Sequence, residues 1–230
     1  MLPVFSFARP LLPVVGSDGG FPVRRIFCVG RNYAEHAREM GASGREPPFF
    51  FCKPADAVVP VVPGSIGQMA YPPQTADLQH EVELVVALGS GGRDIAVTAA
   101  LGHVFGQAIG LDMTRRDLQK AAKEKGQPWE VGKAFDQSAP IGPIHPVGSV
   151  APLTGGAIAL DVNGQPRQLG DLADMIWPVA EIIAQLSSLF ELAAGDLIFT
   201  GTPAGVGPVQ RGDRLLGRIA GLGELDVAIV

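Results

Sequence analysis

The sequence contains little cysteine and no long apolar run, and each shortage excludes a class of protein. Two cysteines, Cys28 and Cys52, are too few for the disulfide framework of a small secreted domain and are typical of a reducing compartment. Prolines interrupt the apolar N-terminus, which also lacks the basic residues of a signal peptide, and no apolar segment is long enough to span a bilayer. We therefore expect a cytoplasmic protein with no membrane partner and two buried, inert thiols.

The chain also lacks an excess of positive charge. Its 18 Lys and Arg residues are outnumbered by 23 Asp and Glu residues, which leaves a net charge of −5, so a nucleic-acid partner is not expected. The glycine-rich turn at residues 89–92 matches neither GxGxxG nor GK[ST], the motifs that bind dinucleotides and phosphates. These observations leave a globular protein whose partner is a small molecule.

The 30 glycines and 20 prolines predict many turns and short strands in this 230-residue chain. The run Ala157–Val162 followed by Asn163-Gly164 predicts a β-hairpin. Behind Pro178, an apolar stripe with helical spacing predicts a packed helix; its members are Val179, Ile182, Ile183, Leu186 and Leu189. The fold class is therefore α+β and mostly β. We divide the chain into an N-terminal extension, residues 1–22, with no assigned role, and a single domain, residues 23–230.

Two carboxylates enter what the pattern indicates is a buried strand face. In the run QHEVELVVALG, Glu81 and Glu83 point to the same face because side chains alternate along a strand, and this face continues as Val85 and Ala87. Like charges repel strongly once they are removed from water. A hard divalent cation, which takes oxygen ligands, would relieve that repulsion. The alternative is an edge strand on which both glutamates reach water.

A second group of polar residues follows the predicted strand Val104–Leu111. Asp112 lies between that strand and a helix predicted to start at Thr114, a position suited to a metal or an anion, or simply to a turn or helix cap. Arg116 and Gln119 are three residues apart and share one face of the helix. Lys133 lies in a largely uncharged stretch predicted as a strand or turn, where a surface lysine is the alternative.

A short helix is predicted from a cap at Asn32 to Gly41. His36 and Glu39 lie three residues apart on it and therefore share a face. A histidine held by a carboxylate is suited to general-base catalysis, because the carboxylate fixes its tautomer and stabilises the imidazolium. The alternative is an ordinary polar helix surface.

Taken in order, six stretches resemble the fumarylacetoacetate hydrolase superfamily: VGRNYAEHAREMG, FFFCKPADAVVP, HEVELVVALG, GLDMTRRDLQ, GKAF and DLIFTGTPAGVG. The resemblance implies a mixed β-sandwich roll with short flanking helices, formed here by residues 23–230 as the catalytic domain. It implies one Mg²⁺ or Mn²⁺ ion held by Glu81, Glu83 and Asp112, and it implies a homodimer.

The same resemblance assigns roles to the remaining candidates. Arg116, Gln119 and Thr202 would contact the substrate, Thr202 through the carboxylate. Lys133 would be an active-site lysine, and Lys53 would lie near a lid. His36 and Glu39 would be the dyad on that lid that activates water.

Two stretches resemble the bacterial fumarylpyruvate hydrolases more closely: FPVRRIFCVGRNYAEHAREMG and REPPFFFCKPADAVVP. This implies hydrolysis of a carbon–carbon bond in a 2,4-diketo acid, an acylpyruvate, with fumarylpyruvate giving fumarate and pyruvate. Oxaloacetate decarboxylases, and isomerases or decarboxylases of homoprotocatechuate breakdown, are the alternatives on the same scaffold. A non-catalytic β-rich binding protein with a structural ion is a further alternative.

Overall fold

The computed structural model describes residues 4–33 and 46–230, which form eighteen strands, four α-helices and three single-turn 3₁₀ helices. The strands are β1 Leu11–Pro13, β2 Gly20–Pro22, β3 Arg25–Gly30, β4 Phe49–Lys53, β5 Val58–Pro60, β6 Gly67–Met69, β7 Leu78–His80, β8 Val82–Leu88, β9 Val104–Leu111, β10 Thr114–Arg115, β11 Ala139–Ile141, β12 His145–Pro146, β13 Ala157–Val162, β14 Gln165–Asp171, β15 Asp196–Phe199, β16 Gly207–Val209, β17 Arg214–Ile219 and β18 Gly223–Ile229. The α-helices are α1 Val97–Ala100, α2 Arg116–Glu124, α3 Glu130–Lys133 and α4 Val179–Leu189; the 3₁₀ helices are Ala55–Ala57, Leu101–His103 and Leu172–Asp174.

The strands form two large mixed sheets and two small ones. The larger sheet has the order β4-β3-β15-β8-β9-β11-β5, with β12 also paired to β9, and the other large sheet has the order β14-β13-β17-β18-β6. Each contains parallel as well as antiparallel pairs, for example β3 with β15 and β6 with β18. The small sheets are the β1-β2 hairpin and β10-β7-β16. The predicted α+β, mostly β fold with mixed sheets is confirmed.

Strand β8 is central to the larger sheet and is buried on both faces. Leu84, Val86 and Leu88 face one core cluster, whereas Val85 and Ala87 face the other. Flanking strands β15 and β9 cover its edges, so the strand is entirely apolar except at Glu83. The face that Glu83 shares with Val85 is therefore a buried one, as the alternation predicted.

Two local predictions are confirmed, one of them with a change. Strands β13 and β14 form the predicted hairpin, and positive φ angles at Asn163 (52°) and Gly164 (72°) suit the tight turn between them. Helix α4 buries four of the five stripe residues, but Leu189 is 61% exposed. Leu189 is the last residue of the helix.

Two residues of the N-terminal segment 1–22 belong to the core of the protein. Strands β1 and β2 place Leu12 and Phe21 in the same core cluster as Cys28. The division of the chain at residue 22 stays a prediction.

Cys28 is buried, but Cys52 is exposed, because β4 is the edge strand of its sheet. The prediction that both thiols are buried is wrong for Cys52.

Within the described ranges, none of the helices combines the length and apolar character needed to cross a membrane.

Candidate active site

Three carboxylates converge where β8 begins and β9 ends. Glu81 lies between β7 and β8, Glu83 is the second residue of β8, and Asp112 directly follows β9. The antiparallel pairing of β8 with β9, extended by the Asp112 N–H donating to the Glu81 carbonyl at 2.8 Å, brings the strand ends together. Ligand oxygens of the three carboxylates all lie within 4.8 Å of one another. Their exposures are 5%, 2% and 1% in chain order, which excludes the solvent-exposed edge strand.

Two buried lysines neutralise part of this negative charge. Lys133 Nζ donates to Glu81 Oε2 at 2.8 Å, to Asp112 Oδ2 at 2.8 Å and to Thr114 Oγ1 at 2.7 Å. These three bonds use all three ammonium hydrogens. Lys53 Nζ lies 2.8 Å from Asp112 Oδ1 and donates to the backbone carbonyls of Met113 and Lys133. Lys133 is thus a buried counter-charge, and the surface-lysine alternative does not apply.

The environment shifts the pKa values of two of these groups upward. Burial raises the pKa of Glu83 well above its ordinary value, and the neighbouring charges of Asp112 and Glu81 raise it further; Lys133 and the Gly201 N–H act in the opposite direction. Burial alone would lower the pKa of Lys133, but the carboxylates of Asp112 and Glu81 raise it above its ordinary value. Lys133 is therefore held as a cation, whereas ionised Glu83 is held at an electrostatic cost.

The donor set suits a hard divalent ion. Three converging carboxylates provide oxygen ligands, which Mg²⁺ and Mn²⁺ prefer, and three protein ligands leave positions open for a substrate. Buried Asp112 Oδ1 receives no hydrogen bond from the described residues, although Lys53 lies near it. A cation bound by Glu81, Glu83 and Asp112 would offset the repulsion that raises the Glu83 pKa.

Helix α2 presents the predicted pair Arg116 and Gln119 to the same cluster. The Arg116 guanidinium forms an ion pair with Glu81 and donates to Gln119 Oε1 at 2.6 Å and to Gln79 Oε1 at 2.8 Å. The helix begins at Arg116, and its N-cap Arg115 makes no side-chain cap bond. The prediction that the helix starts at Thr114 is wrong. The Thr114 hydroxyl instead donates to the Asp112 carbonyl and accepts from Lys133.

Glycine at position 201 lets the loop after β15 close over Glu83. Its φ angle is +97°, and a Cβ there would lie 2.7 Å from the Cβ of Asn32, so a side chain would meet both strain and a clash. The Gly201 N–H donates to Glu83 Oε2 at 2.6 Å. The predicted helix cap Asn32 serves this loop, donating to the Thr200 carbonyl at 2.7 Å and accepting from the Trp177 N–H at 2.7 Å.

Thr202, the next loop residue, has its hydroxyl engaged inside the protein. It donates to the Val82 carbonyl at 2.8 Å and accepts from Gln168 Nε2 at 2.8 Å. Gln168 Oε1 accepts from His80 Nδ1 at 2.9 Å and from the Val82 N–H at 3.1 Å. Gln168 therefore connects strand β14 of the second sheet to both sides of Glu81. Sequence reasoning missed it, since one glutamine in the strand QPRQLGD carries no recognisable signal.

The cluster forms the floor of a cleft that encloses about 360 Å³, including its open mouth. Polar lining comes from Arg31, Glu81, Glu83, Asp112, Arg116, Gln119, Lys133, Gly201 and Thr202, and apolar lining from Val29, Gly30, Phe49, Phe51 and Trp129. Eight of the ten predicted site residues are described by the structure. Seven of them line this cleft. Lys53 does not line it but contacts Asp112, with 2.8 Å between Nζ and Oδ1. His36 and Glu39 lie outside the described residues.

Lys133 reaches the cluster from a different element than expected. The stretch predicted as a strand or turn forms the single-turn helix α3, which ends at Lys133. The Trp129 carbonyl accepts from the N–H groups of Gly132 and Lys133, at 2.8 and 2.9 Å, which closes the helical turn. This turn points the lysine at carboxylates more than twenty residues away in sequence, so no local pattern could show its setting.

Comparison with known proteins places this chain in a family. A sequence model described as "Fumarylacetoacetate (FAA) hydrolase C-terminal" matches residues 25–230. The crystal structure of fumarylpyruvate hydrolase from Pseudomonas aeruginosa in complex with Mn²⁺ and pyruvate is 58% identical, with a TM-score of 0.98, and the match covers 100% of this chain and 99% of that one.

Two curated relatives carry other activity names. Mitochondrial oxaloacetate decarboxylase of Dictyostelium discoideum is 42% identical over 199 residues, which cover 86% of this chain and 90% of that protein. An oxaloacetate tautomerase of Escherichia coli (strain K12) is 41% identical over 199 residues, which cover 85% and 88%. Proteins similar to this chain along most of its length are thus named as hydrolase, decarboxylase and tautomerase.

Proposed function

Because the chain belongs to the fumarylacetoacetate hydrolase family, we propose that it is a metal-dependent hydrolase of acylpyruvates, with fumarylpyruvate as its substrate. The observation that carries the proposal is the buried cluster of three carboxylates around Lys133 at the floor of a cleft. A 2,4-diketo acid has a carboxylate and a keto oxygen side by side at one end, and a site with a divalent cation and open positions suits such a group. The likeness to a fumarylpyruvate hydrolase at 58% identity supports this choice of substrate.

Glu81, Glu83 and Asp112 would hold the ion, Mg²⁺ or Mn²⁺. A metal ion bound there would act as a Lewis acid and stabilise the negative charge that develops on the pyruvate half of the substrate. The chain adds the fixed positive charge of Lys133, whose donors are saturated by Glu81, Asp112 and Thr114. Lys133 therefore acts through its charge and its hold on the carboxylates, and preorganised charge of this kind is usually the largest contribution to catalysis.

The proposed reaction breaks the bond between C3 and C4 of the diketo acid. His36, oriented by Glu39, takes a proton from water, and the hydroxide adds to the C4 carbonyl. The C3–C4 bond then breaks, and its electron pair passes to the pyruvate enolate. Protonation of that enolate at C3 gives pyruvate, and C4 leaves as the carboxylate of fumarate. Arg116 and Gln119 would orient the substrate from α2.

Substitution of His36 separates this reaction from its alternative. His36→Ala is expected to lower fumarylpyruvate hydrolysis by at least about a hundredfold, since general-base catalysis typically contributes 10²–10⁴-fold. Decarboxylation of oxaloacetate needs no attacking water and should survive, whereas Glu81→Gln should lower both reactions. The measurement is the rate of both reactions for the two purified variants. Wild-type hydrolysis by His36→Ala would contradict the assignment of the dyad.

Oxaloacetate chemistry is the second candidate function. Relatives at 41% and 42% identity are named for it, and the same stabilisation of a pyruvate enolate by fixed positive charge would serve decarboxylation. A wild-type enzyme that releases CO₂ from oxaloacetate but leaves fumarylpyruvate intact would favour this candidate.

The setting of the enzyme is part of the proposal. A homodimer is supported by the exposed apolar side chains of Val4, Phe5 and Phe7, which are 98%, 77% and 80% exposed. A mass of one chain by light scattering would contradict it. The free thiols of Cys28 and Cys52 support a reducing, cytoplasmic location, which fractionation of the source cells would test.

A further inference from the structure

Arg31 is a cation on the wall of the cleft that makes no ion pair with any other described residue. In the described part of the chain, two other cations line the cleft, and both are paired, Arg116 with Glu81 and Lys133 with Glu81 and Asp112. Arg31 is half-buried, and its Nε atom is buried without a hydrogen-bond partner. An unpartnered guanidinium donor is unfavourable in a folded protein unless a ligand satisfies it.

The backbone at Arg31 adopts a conformation that side chains rarely take. Its φ angle is 58°, in the left-handed region, and the residue is neither glycine nor asparagine. The next residue, Asn32, fixes this bend through its bonds to Thr200 and Trp177. Unusual backbone conformations held this firmly concentrate at ligand-binding positions. The bend directs the Arg31 side chain along the cleft wall.

A series of contacts through three aromatic rings, here called the aromatic wall, connects Lys133 to Arg31. Lys133 Nζ lies 5.1 Å from the ring centre of Phe51, which is 5.9 Å from the ring of Trp129. Trp129 is 5.3 Å from the ring of Phe49, and the Arg31 guanidinium lies 5.5 Å from Phe49. The order along the wall is therefore Lys133, three aromatic rings and then Arg31.

Glycine at position 30 lets the Phe49 ring of that wall lie against the backbone. Gly30 pairs with Phe49 across strands β3 and β4, and a Cβ on Gly30 would lie 2.0 Å from the Phe49 ring. The ring therefore rests directly on the backbone of β3, next to Arg31. The Phe49 and Trp129 rings meet edge to face, with 88° between their planes, and the Phe51 ring is inclined by 52° to that of Trp129. The wall therefore offers ring faces and ring edges, and an unsaturated acyl chain packs against both.

We propose that Arg31 binds the distal carboxylate of the substrate and so selects acylpyruvates that carry a negative charge at both ends. The inference rests on the proposed function. With the pyruvate end at the carboxylate cluster, the planar fumaroyl chain lies along Phe51, Trp129 and Phe49, and its terminal carboxylate meets the guanidinium. Arginine suits this role because its fork of donors matches a carboxylate and its charge does not titrate.

The test compares Arg31→Met with wild type on fumarylpyruvate and on acetylpyruvate, which has a methyl group in place of the charged acyl chain. We expect kcat/KM for fumarylpyruvate to fall roughly 10- to 150-fold, as for loss of a hydrogen bond to a charged group. The value for acetylpyruvate should not change, and Arg31→Lys should recover part of the loss. An equal fall for both substrates, or no fall for fumarylpyruvate, would overturn the inference.

Arg115→Met is the matched control. Arg115 is half-buried, has a buried Nε without a partner, and lies 4.4 Å from the Phe135 ring, but it does not line the cleft. Its substitution should leave the ratio of kcat/KM for the two substrates at the wild-type value. A change in this ratio as large as that of Arg31→Met would overturn the inference.

A binding measurement keeps the inference separate from the proposed function. If the wild-type enzyme cleaves neither acylpyruvate, the proposed function fails, and calorimetry with Mn²⁺ then decides the role of Arg31. Fumarate and crotonate differ by one carboxylate, so wild type should bind fumarate more tightly. Arg31→Met should lose that preference. If it keeps the preference, or if wild type shows none, Arg31 does not bind the second carboxylate.

Discussion

Glu83→Gln is expected to abolish metal-dependent turnover and, at the same time, to raise the thermal midpoint of the metal-free protein. Glu83 is 2% exposed, and among the described residues its carboxylate has the Gly201 N–H but no cation within ion-pairing distance. Burial and the charges of Asp112 and Glu81 raise its pKa well above the ordinary value. Without metal, ionised Glu83 therefore opposes folding, and a neutral amide of the same shape removes that cost.

The sign of the pH dependence follows from the direction of this shift. A carboxyl group with a higher pKa in the folded state binds more protons when folded, so its contribution to stability falls as pH rises above its unfolded value. The gain from Glu83→Gln should therefore be present at pH 7 and absent below about pH 4, the ordinary range of a glutamic acid.

A single stabilising substitution commonly adds about 0.5–2 kcal/mol to the free energy of unfolding, which is roughly 1–8 °C for a domain of this size. Turnover should fall more than a hundredfold, because an amide is a poor substitute for an anionic ligand. Calorimetric melting with and without Mn²⁺, together with the rate of substrate loss, measures both effects. The control is Glu191→Gln, whose side chain is 69% exposed. A lower midpoint for metal-free Glu83→Gln would contradict this view of the cluster.

Lys133→Met is expected to lower both activity and stability. The side chain of Lys133 is 2% exposed and holds Glu81 and Asp112 together. Methionine has similar length but leaves two buried carboxylates without their shared ammonium. Removal of one partner of a buried ion pair typically costs 3–5 kcal/mol, which is roughly 10 °C in the thermal midpoint for a chain of this length.

Added metal should stabilise Lys133→Met more than wild type, since the ion becomes the main counter-charge of the cluster. Turnover at saturating metal should still fall by about a hundredfold or more, through loss of fixed charge near the developing enolate. Lys120→Met, an exposed position on α2, is the control for a lost surface lysine. A midpoint for metal-free Lys133→Met within the error of wild type would show that the lysine does not hold the cluster together.

The opposite signs of these two stability effects separate a charged cluster from ordinary packing. Both substitutions replace a buried ionisable side chain with a neutral one of similar size. If packing alone decided the outcome, the two would act alike. The structure distinguishes them, because Lys133 has three oxygen partners, whereas Glu83 has no positively charged partner among residues 4–33 and 46–230.

The carboxylate cluster could be predicted from sequence because its geometry is mostly local. Alternation along β8 puts Glu81 and Glu83 on one face, and Asp112 follows the strand that pairs with β8. The hairpin at Asn163-Gly164 was predictable for the same reason, since its turn chemistry lies in two adjacent residues.

The parts that sequence reasoning missed depend on contacts between distant segments. Lys133 meets Glu81 across 52 residues, and Gln168 meets Val82 across 86. Neither pairing leaves a periodic trace along the chain. The exposure of Cys52 depends on β4 lying at the edge of its sheet, and strand order is likewise invisible in a local pattern. Arg31 belongs to the stretch VGRNYAEHAREMG, but the sequence alone gives it no role. Its position beside Phe49 in the aromatic wall is what suggests one.

The measurement that tests the central claim most directly is the loss of diketo-enol ultraviolet absorbance of fumarylpyruvate, with Mg²⁺ or Mn²⁺ and with EDTA. The proposed function predicts fast loss with either metal, arrest of the reaction by EDTA, and fumarate and pyruvate in equal amounts as products. Unchanged absorbance in the presence of metal, or loss that continues at the same rate in EDTA, would contradict it.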